Sequence, residues 1–453
     1  MAVSTRNSVP AFVERLDVYS NPTQEKSVSL ANGFVRLMYY ESILQDSIRV
    51  TYSFTDTGGA INDKTSIDGL PIVGQEKVYL KIKDNNDVTL EFGDKKNNHL
   101  YVNKVTPLTD DSNKSLANLD LVSKEYIMNE KFRLNTRFNG KISEHVNKIL
   151  TEKDYFATKK KVDIEDTSNN YNFLGQNKKG YYTINWLCKY AVPGTINAAG
   201  NTAGFMLYET SEGFHFKSVD SLFSQKKKKS IIFNQSSEGT GESIPEGYDI
   251  KALSYEHDNA VNVQNKLKMG AYSTRIVMFN PFDCRYEVVT PNAKQVEEKD
   301  GIKTAGKKLP VLNKEFDRDQ KNKEFSRTTY MLLDTGTLPD GSGTGKGQEQ
   351  IKKSKEENLE AKKIVNQGIM RMNQLFSEKT SVVIPGDFSL HAGDAIFVDV
   401  ASVKSETDDE RNDKSGGRYV IADLCHYVST KETYTKLNVV RDSFGRVAEK
   451  AST

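Results

Sequence analysis

Several stretches of this chain hold residue types that do chemistry elsewhere, so their spacing decides what they can do here. Gly341-Ser-Gly-Thr-Gly-Lys-Gly347 sets a lysine among glycines, as a phosphate-cradling loop does. That loop needs glycine where Asp340 stands and serine or threonine where Gly347 stands, with an apolar strand leading into it. The stretch meets none of these conditions and reads as a flexible linker. Its serine also fails the nucleophile-elbow pattern, which requires a strained strand-to-helix turn. Of the histidines His99, His145, His215, His257, His391 and His426, no two lie at metal-ligand spacing. Glu144-His145 is expected on the solvated surface of a helix. His426 stands on an apolar strand and reads as a hydrogen-bonded structural histidine rather than an acid–base group. Asp408-Asp-Glu410 lacks calcium-loop spacing, and no paired carboxylates suggest a hydrolase. Lys226-Lys-Lys-Lys229 precedes Ile231-Ile-Phe233 and reads as a solvated run that protects a strand edge. No catalytic, cofactor or metal constellation emerges, and a non-enzyme is expected.

The composition narrows the class. The 453 residues carry 63 Lys+Arg against 61 Asp+Glu, a near balance that argues against a dedicated nucleic-acid binder. A chain of this length implies two to four domains. Cys188, Cys284 and Cys425 supply no disulfide framework and no Cys-x-x-Cys pair, which suits folding in a reducing cytoplasm. The first residues hold no apolar signal-peptide core, and the longest apolar runs, such as Ile276-Val-Met-Phe279, are too short to span a membrane.

The elements that must position any site are mostly strands. Ile48, Val50, Tyr52 and Phe54 alternate with polar neighbours, as do Val78, Leu80 and Ile82, then Val88, Leu90 and Phe92 across an Asp84–Asp87 turn. Ile142, Val146, Ile149 and Leu150 form a helical stripe. The aromatic-rich middle, with Gly180-Tyr-Tyr-Thr-Ile-Asn-Trp-Leu187 and a hairpin across Thr210–Gly213, reads as β-rich. A β segment at Ala271–Phe279 follows, then a charged excursion from Pro291 to Glu324 and a helical stripe over Ile364, Val365, Ile369, Met372, Leu375 and Phe376. Strand structure restarts at Val382, and Lys404–Ser415 is too polar for a core. In the last region Gly416-Gly417 leads into a strand whose alternation puts Tyr419, Ile421 and Cys425 on one face and Val420, Ala422, Leu424 and His426 on the other. Both faces are apolar, so cover on both sides is expected.

Two blocks carry a family resemblance. Tyr39-Tyr-Glu-Ser-Ile-Leu44, Thr55-Asp-Thr-Gly58 and Leu70-Pro-Ile-Val-Gly-Gln-Glu76 look like the first tube-like barrel of the central baseplate hub proteins of contractile-tailed bacteriophages. Leu119–Ile127 looks like that barrel's final strand, and Gly140–Leu150 like the helix that follows it. Leu390-His-Ala-Gly-Asp-Ala-Ile-Phe-Val-Asp-Val400, the Gly416-Gly417 strand with His426, and the closing strand to Arg441-Asp442 resemble the second barrel.

The resemblance implies a mainly β protein with a few helices, built as two tube-like antiparallel barrels, an inserted β-rich module and helical connectors. On this division 1–135 is the first barrel, 136–165 a helical connector and 166–240 the inserted module. Residues 241–345 hold a β segment, the charged loop and the linker, and 346–453 a helix and the second barrel. Three copies are expected to make a pseudo-sixfold ring that adapts the sixfold tail tube to a threefold spike and lets DNA pass. The partners implied are the homotrimer, the tail tube protein, the central spike protein and surrounding baseplate wedge proteins. DNA contact would be transient and independent of sequence, without stable membrane insertion. The location implied is the virion tail baseplate, after assembly in the host cytoplasm. Tyr40, Glu41, Ile43, Leu44, Gly74, Glu76, Gly393, Asp394, Gly416, Gly417, Tyr419, His426, Arg441 and Asp442 are the implied assembly or fold-determining positions. No cofactor is implied. The alternatives are the hub of a related contractile injection or secretion particle, and a carbohydrate-binding tail adhesin with Trp186, Tyr181 and Tyr182 as a stacking platform.

Overall fold

The computed structural model describes residues 9–21, 26–59, 64–111, 114–194, 202–233, 244, 247–258, 262–280, 284–290, 302, 304–307, 309–316, 327–332, 358–359, 361–400 and 415–445. The glycine-rich linker 340–347, the acidic loop 404–414 and most of the charged excursion 291–324 lie outside them.

The alternating N-terminal sequence folds into β1 (Phe12–Tyr19), β2 (Ser27–Ser29), β3 (Phe34–Ser42) and β4 (Arg49–Asp56). A helical turn, α1 (Ser66–Gly69), precedes β5 (Lys77–Lys83), β6 (Thr89–Phe92), β7 (Leu100–Asp111) and β8 (Lys114–Ser123). Val78, Leu80 and Ile82 are buried while Lys77, Tyr79, Lys81 and Lys83 stay half-exposed, as a period of two requires. The Asp84 carboxylate closes the β5–β6 turn by accepting from the Asn86 and Val88 N–H groups, each at 2.8 Å. The strand read over Leu119–Ile127 stops at Ser123. Lys124 opens a helix, α2 (Lys124–Lys131), because alternation ends there and helix-forming Lys, Glu and Met take over.

The middle contains β9 (Arg137–Phe138), α3 (Ile142–Thr151), β10 (Val162–Ile164), β11 (Phe173–Leu174), α4 (Gly180–Cys188), β12 (Phe205–Thr210), β13 (Gly213–Ser218) and α5 (Val219–Ser224). Its core is separate from that of the large sheet and gathers Phe138, Val146, Ile149, Phe156, Ile184, Leu187, Phe205 and Phe216. The Thr210–Gly213 hairpin forms as its sequence requires. The stretch 180–188, read as β, is instead a helix. Tyr181, Ile184, Leu187 and Cys188 are among its buried residues, and their spacing of three and four is helical rather than alternate.

The chain then forms β14 (Lys229–Phe233), β15 (Ile250–Lys251), β16 (Ser254–Asp258), α6 (Val263–Met269), β17 (Thr274–Asn280), β18 (Arg285–Val289) and β19 (Arg327–Leu332). It ends in α7 (Ala361–Gln374), β20 (Glu378–Pro385), β21 (Ala395–Val400), β22 (Gly417–Ser429) and β23 (Thr433–Arg441).

Mainly β structure with helices is therefore observed, and closed barrels are not detected among the described residues. A single sheet of 15 strands runs β15-β14-β21-β22-β3-β4-β8-β7-β5-β1-β2, with β6 on β5 and β16-β20-β23 joined to β22. Among the described residues no pairing closes either region on itself. The two regions are joined through β22, which is longer than its partners. Its first residues pair with β21, as in Val420 with Ala395, and its later ones with β3, as in Asp423 with Ser42. One apolar core follows, in which Leu16, Tyr52, Phe54 and Leu80 meet Val382, Ile396, Tyr419 and Leu437. Each such buried side chain contributes about 1.5–3 kcal/mol.

A bulge in β22 between Ile421 and Asp423 corrects the alternation read from sequence. The extra residue brings Leu424 onto the core face of Tyr419 and Ile421, while Val420 and Ala422 pack in a second cluster with Ile43, Val219 and Leu222. Cys425 is left half-buried on the outer face.

Gly417 enters β22 with φ of 136°, a region that side chains rarely occupy. Gly417→Ala should cost about 1–3 kcal/mol through backbone strain. Urea unfolding of the purified protein measures this, and an unchanged midpoint would show that the glycine is dispensable.

Candidate functional site

The positions implied by the sequence fall into three buried polar clusters and several isolated places. The first cluster centres on Glu41, near the end of β3 and only 2% exposed. Its Oε1 accepts from the Tyr39 hydroxyl at 2.5 Å, the Ser211 N–H at 2.9 Å and His391 Nδ1 at 3.2 Å. Its Oε2 accepts from the Ala392 N–H at 2.8 Å. One carboxylate therefore fastens β3 to the tip of the β12–β13 hairpin and to the turn before β21. Burial pushes the Glu41 carboxyl up, but His391, Tyr39 and the Ala392 N–H outweigh it and hold it at about 2. For His391, burial opposes protonation, and Glu41 reverses this to raise its pKa.

Gly393 and Asp394 build the turn on which His391 sits. Asp394 Oδ2 accepts from the His391 N–H at 2.7 Å and from Lys228 Nζ at 2.8 Å. The backbone of both residues pairs with Ile421. Gly393 has φ of 87°, and a Cβ there would collide with the Tyr208 hydroxyl. His426 lies under this region, fully buried and stacked on Tyr39 with ring centroids 5.8 Å apart. Its Nδ1 is 2.9 Å from the Thr435 hydroxyl, and burial lowers its pKa to about 4, so it is a neutral core histidine.

The second cluster joins Gly416, Tyr419 and Arg441. The Arg441 guanidinium lies 4.8 Å over the Tyr419 ring, pairs with Glu378 and donates to the Gly416 carbonyl at 3.0 Å. The Tyr419 hydroxyl donates to the Ser415 carbonyl at 2.7 Å, so the start of β22 is held against the end of β23.

The third cluster contains Asp442, whose Oδ2 accepts from Arg371 at 2.8 Å while Asp220 accepts from the same guanidinium at 2.7 Å. All three side chains are fully buried. Burial would lower the Arg371 pKa, but Asp220 and Asp442 outweigh it. Sequence reasoning missed Arg371 and Asp220. The available signal was a charged residue in the apolar stripe of α7, spaced by three and four from Gly368 and Leu375.

Also missed was Lys160, buried between Glu125 of α2 at 2.6 Å and Glu209 of β12 at 2.5 Å. The second Glu209 oxygen accepts from the Ile48 N–H at 3.2 Å, which ties the middle core to the sheet at a second point.

The remaining positions stand apart. Glu76 is fully buried and gathers the N–H groups of Val73 and Gly74 and the Asn21 amide. Gly74 itself has φ of 114°. Ile43 is buried and donates to the Ala422 carbonyl, whereas Leu44 is 53% exposed.

Tyr40 faces outward onto the polar side of the sheet. There a groove of 780 Å³ crosses β23, β22, β3, β4 and β8, with Arg49 and Lys436 set against Asp120 and Asp423.

Three expectations change. His145 is buried, not on a helix surface: its Nε2 lies 2.8 Å from the Tyr171 carbonyl, and its ring is edge-on to Phe138 and Phe173. Its position one residue before Val146 put it on the apolar stripe. Tyr181, Tyr182 and Trp186 form no common platform, because Tyr181 turns into the core, Tyr182 is 58% exposed and Trp186 packs among Tyr171, Phe173 and Tyr190. The lysine run is partly engaged, with Lys228 on Asp394, Lys227 5.2 Å from the Phe397 ring centroid and Lys229 within β14. Among the described residues no group of three His, Cys, Asp or Glu side chains is arranged to hold a metal.

Glu41→Gln keeps the side chain's shape and removes the charge facing His391, so it should destabilise the protein by about 3 kcal/mol. Because native Glu41 sits at about 2, below its unfolded value, its contribution is complete above the ordinary carboxylate range and lost as pH falls toward that value. Because native His391 is raised, its contribution is complete below an ordinary histidine pKa of about 6.5 and lost as pH climbs through the raised value. The deficit of the variant should therefore be largest at about pH 5–6 and shrink at pH 9. Urea unfolding at both pH values measures it, and equal small deficits would place the ion pair outside the fold's stability.

No protein-family model matches the chain, and no curated protein matches its sequence. Solved structures do. The 43 kDa tail protein of prophage MuSo2 from Shewanella oneidensis is 11% identical, with a TM-score of 0.51 over 95% of this chain and 99% of that one. A tail protein from Neisseria meningitidis is 9% identical, with a TM-score of 0.48 over 96% and 97% of the two chains. A type VI secretion component from E. coli, itself described as similar to phage T4 tail proteins, is 8% identical, with a TM-score of 0.42 over 96% and 80%. The chain therefore shares its fold with a prophage tail protein, and the likeness is one of fold.

Proposed function

We propose that this chain is a structural, non-catalytic hub of a phage tail baseplate. Three copies form a ring that joins a sixfold tail tube to a threefold spike and leaves a channel for DNA. The observation that carries this reading is the edge-to-edge union of the N- and C-terminal strand regions through β3 and β22. A chain that presents two strand-built regions in one continuous sheet offers six such regions when three copies assemble, which is how a trimer meets sixfold symmetry.

The outer face of that sheet fits the passage. In the groove on that face Arg49 and Lys436 stand with Asp120 and Asp423, so its wall is polar and of mixed charge. Phosphate affinity grows with the number of uncompensated cations, and a balanced wall lets DNA slide without holding it. In this reading the face lines the lumen, and the tail tube, spike and wedge proteins bind the rims. The particle is assembled in the host cytoplasm and acts in the virion tail. The positions Tyr40, Leu44 and Gly74 belong to the loops and outer face available for those contacts, while buried Glu76 holds the Val73–Gly74 loop in place.

Membership in a contractile injection or secretion particle is the second reading, and the fold is compatible with it. The ring itself is tested by native mass measurement of the purified chain, alone and with a spike partner. A trimer is expected. A monomer that persists in both conditions at micromolar concentration would defeat the hub assignment.

A further inference from the structure

The small sheet β18-β17-β19 has a face that the described residues leave largely uncovered. In it Val277 of β17 stands between Val288 of β18 and Tyr330 of β19, and Phe279 stands between Tyr286 and Leu332. The two rows make a block of six apolar or aromatic side chains with no charged residue inside it. Tyr330 is 77% exposed, Leu332 66%, Tyr286 60%, Val288 43% and Phe279 39%, whereas Val277 is only 3% exposed. The opposite face is different in kind. Ile276 and Met278 are buried there in the core of the middle region, with Val289 and Met331 packed against it. One side of this sheet thus belongs to the fold, and the other side is built as though it did too.

Two arguments select what covers it. Taking about 150–250 Å² for a fully exposed aromatic side chain and somewhat less for Val and Leu, the exposed fractions add to roughly 500 Å². That is well over half of the ~800 Å² that each partner contributes to a standard stable interface, so a protein surface rather than a small ligand is required. The second argument is composition. In a chain with 27% charged residues, this block of six holds none. Permanent homo-oligomer interfaces are more apolar than transient ones and exclude Lys, Glu and Asp from their centre. The block matches the permanent kind.

We infer that this face is an intersubunit contact, covered by a second copy of the chain. The inference rests on the ring reading above and adds the surface that would hold neighbouring copies together. Tyr330, Leu332 and Tyr286 are its anchors, and Arg275, on the same face at the end of β17, belongs to its polar rim.

The test uses the full chain. Leu332→Glu with Tyr286→Glu places two charges on the exposed face, where they disturb no internal packing. Sedimentation or native mass measurement should show self-association weakened on the order of 100-fold, with circular dichroism and melting close to wild type. Tyr330→Lys alone should weaken it less, by about 10-fold. Hydrogen exchange of the wild type supplies a readout free of substitutions: β17–β19 amides should gain protection as concentration rises through the association range. An assembled wild type whose variants assemble equally well, with no gain in protection, would overturn this contact and leave the ring reading standing. A wild type that never self-associates would overturn both.

Discussion

The pairing of β3 with β22 is the constraint on which the rest depends. Residues 36–42 and 423–429 are nearly the length of the chain apart, yet they run antiparallel as neighbours in the middle of the sheet. Bringing them together carries a large loop-closure entropy, although that cost grows only slowly with length. Side-chain ties reinforce the seam. Ser42 donates to Asp423 at 2.5 Å, and Glu41 reaches the turn at His391–Ala392. Once the seam exists, strands from both ends of the sequence face a single core, and neither end can complete its apolar face without the other.

Buried charge at the joints is the second organising feature. Glu41, Lys160 and Arg371 each sit where three chain segments meet, and each has more than one partner from distant sequence. Such groups are costly to desolvate and return that cost only when every partner is in place. They therefore penalise misregistered packing more than they add stability. This suits joints between a sheet and a separately cored middle region, where apolar contact alone would tolerate sliding. His426 follows the other solution to burial: it stays neutral and satisfies one ring nitrogen through Thr435.

Much of this was legible in the sequence where local rules govern. Strict alternation gave β4, β5 and β6, and the glycine-bounded turn at 210–213 gave the β12–β13 hairpin. The stripe of α3 was also clear. What escaped depended on non-local events. The Ala422 bulge inverted the faces of half of β22, and no residue type in Val420–Leu424 announces it. The α4 segment is rich in Tyr, Thr, Ile and Trp, residues that favour strands, and tertiary burial of Tyr181, Ile184 and Leu187 overrode that propensity. Continuity between the two strand regions rests on the spare edge of β22, which only the assembled sheet reveals. Of the candidate positions, Glu41, Asp394, Arg441 and Asp442 lie in polar clusters. Their partners His391, Arg371 and Glu378 lay too far along the chain to be paired from sequence alone.

On this reading the molecule has three kinds of surface: a polar sheet face suited to a passage, an apolar β17–β19 face suited to a second copy, and loops and rims suited to other neighbours. The central claim is that the polar face points inward in a threefold assembly. Electron cryo-microscopy of the assembled protein tests this most directly. The account predicts a threefold ring with a central hole, with Arg49, Asp120, Asp423 and Lys436 on its wall. A particle without a hole, or a ring in which these four residues face outward, would contradict it.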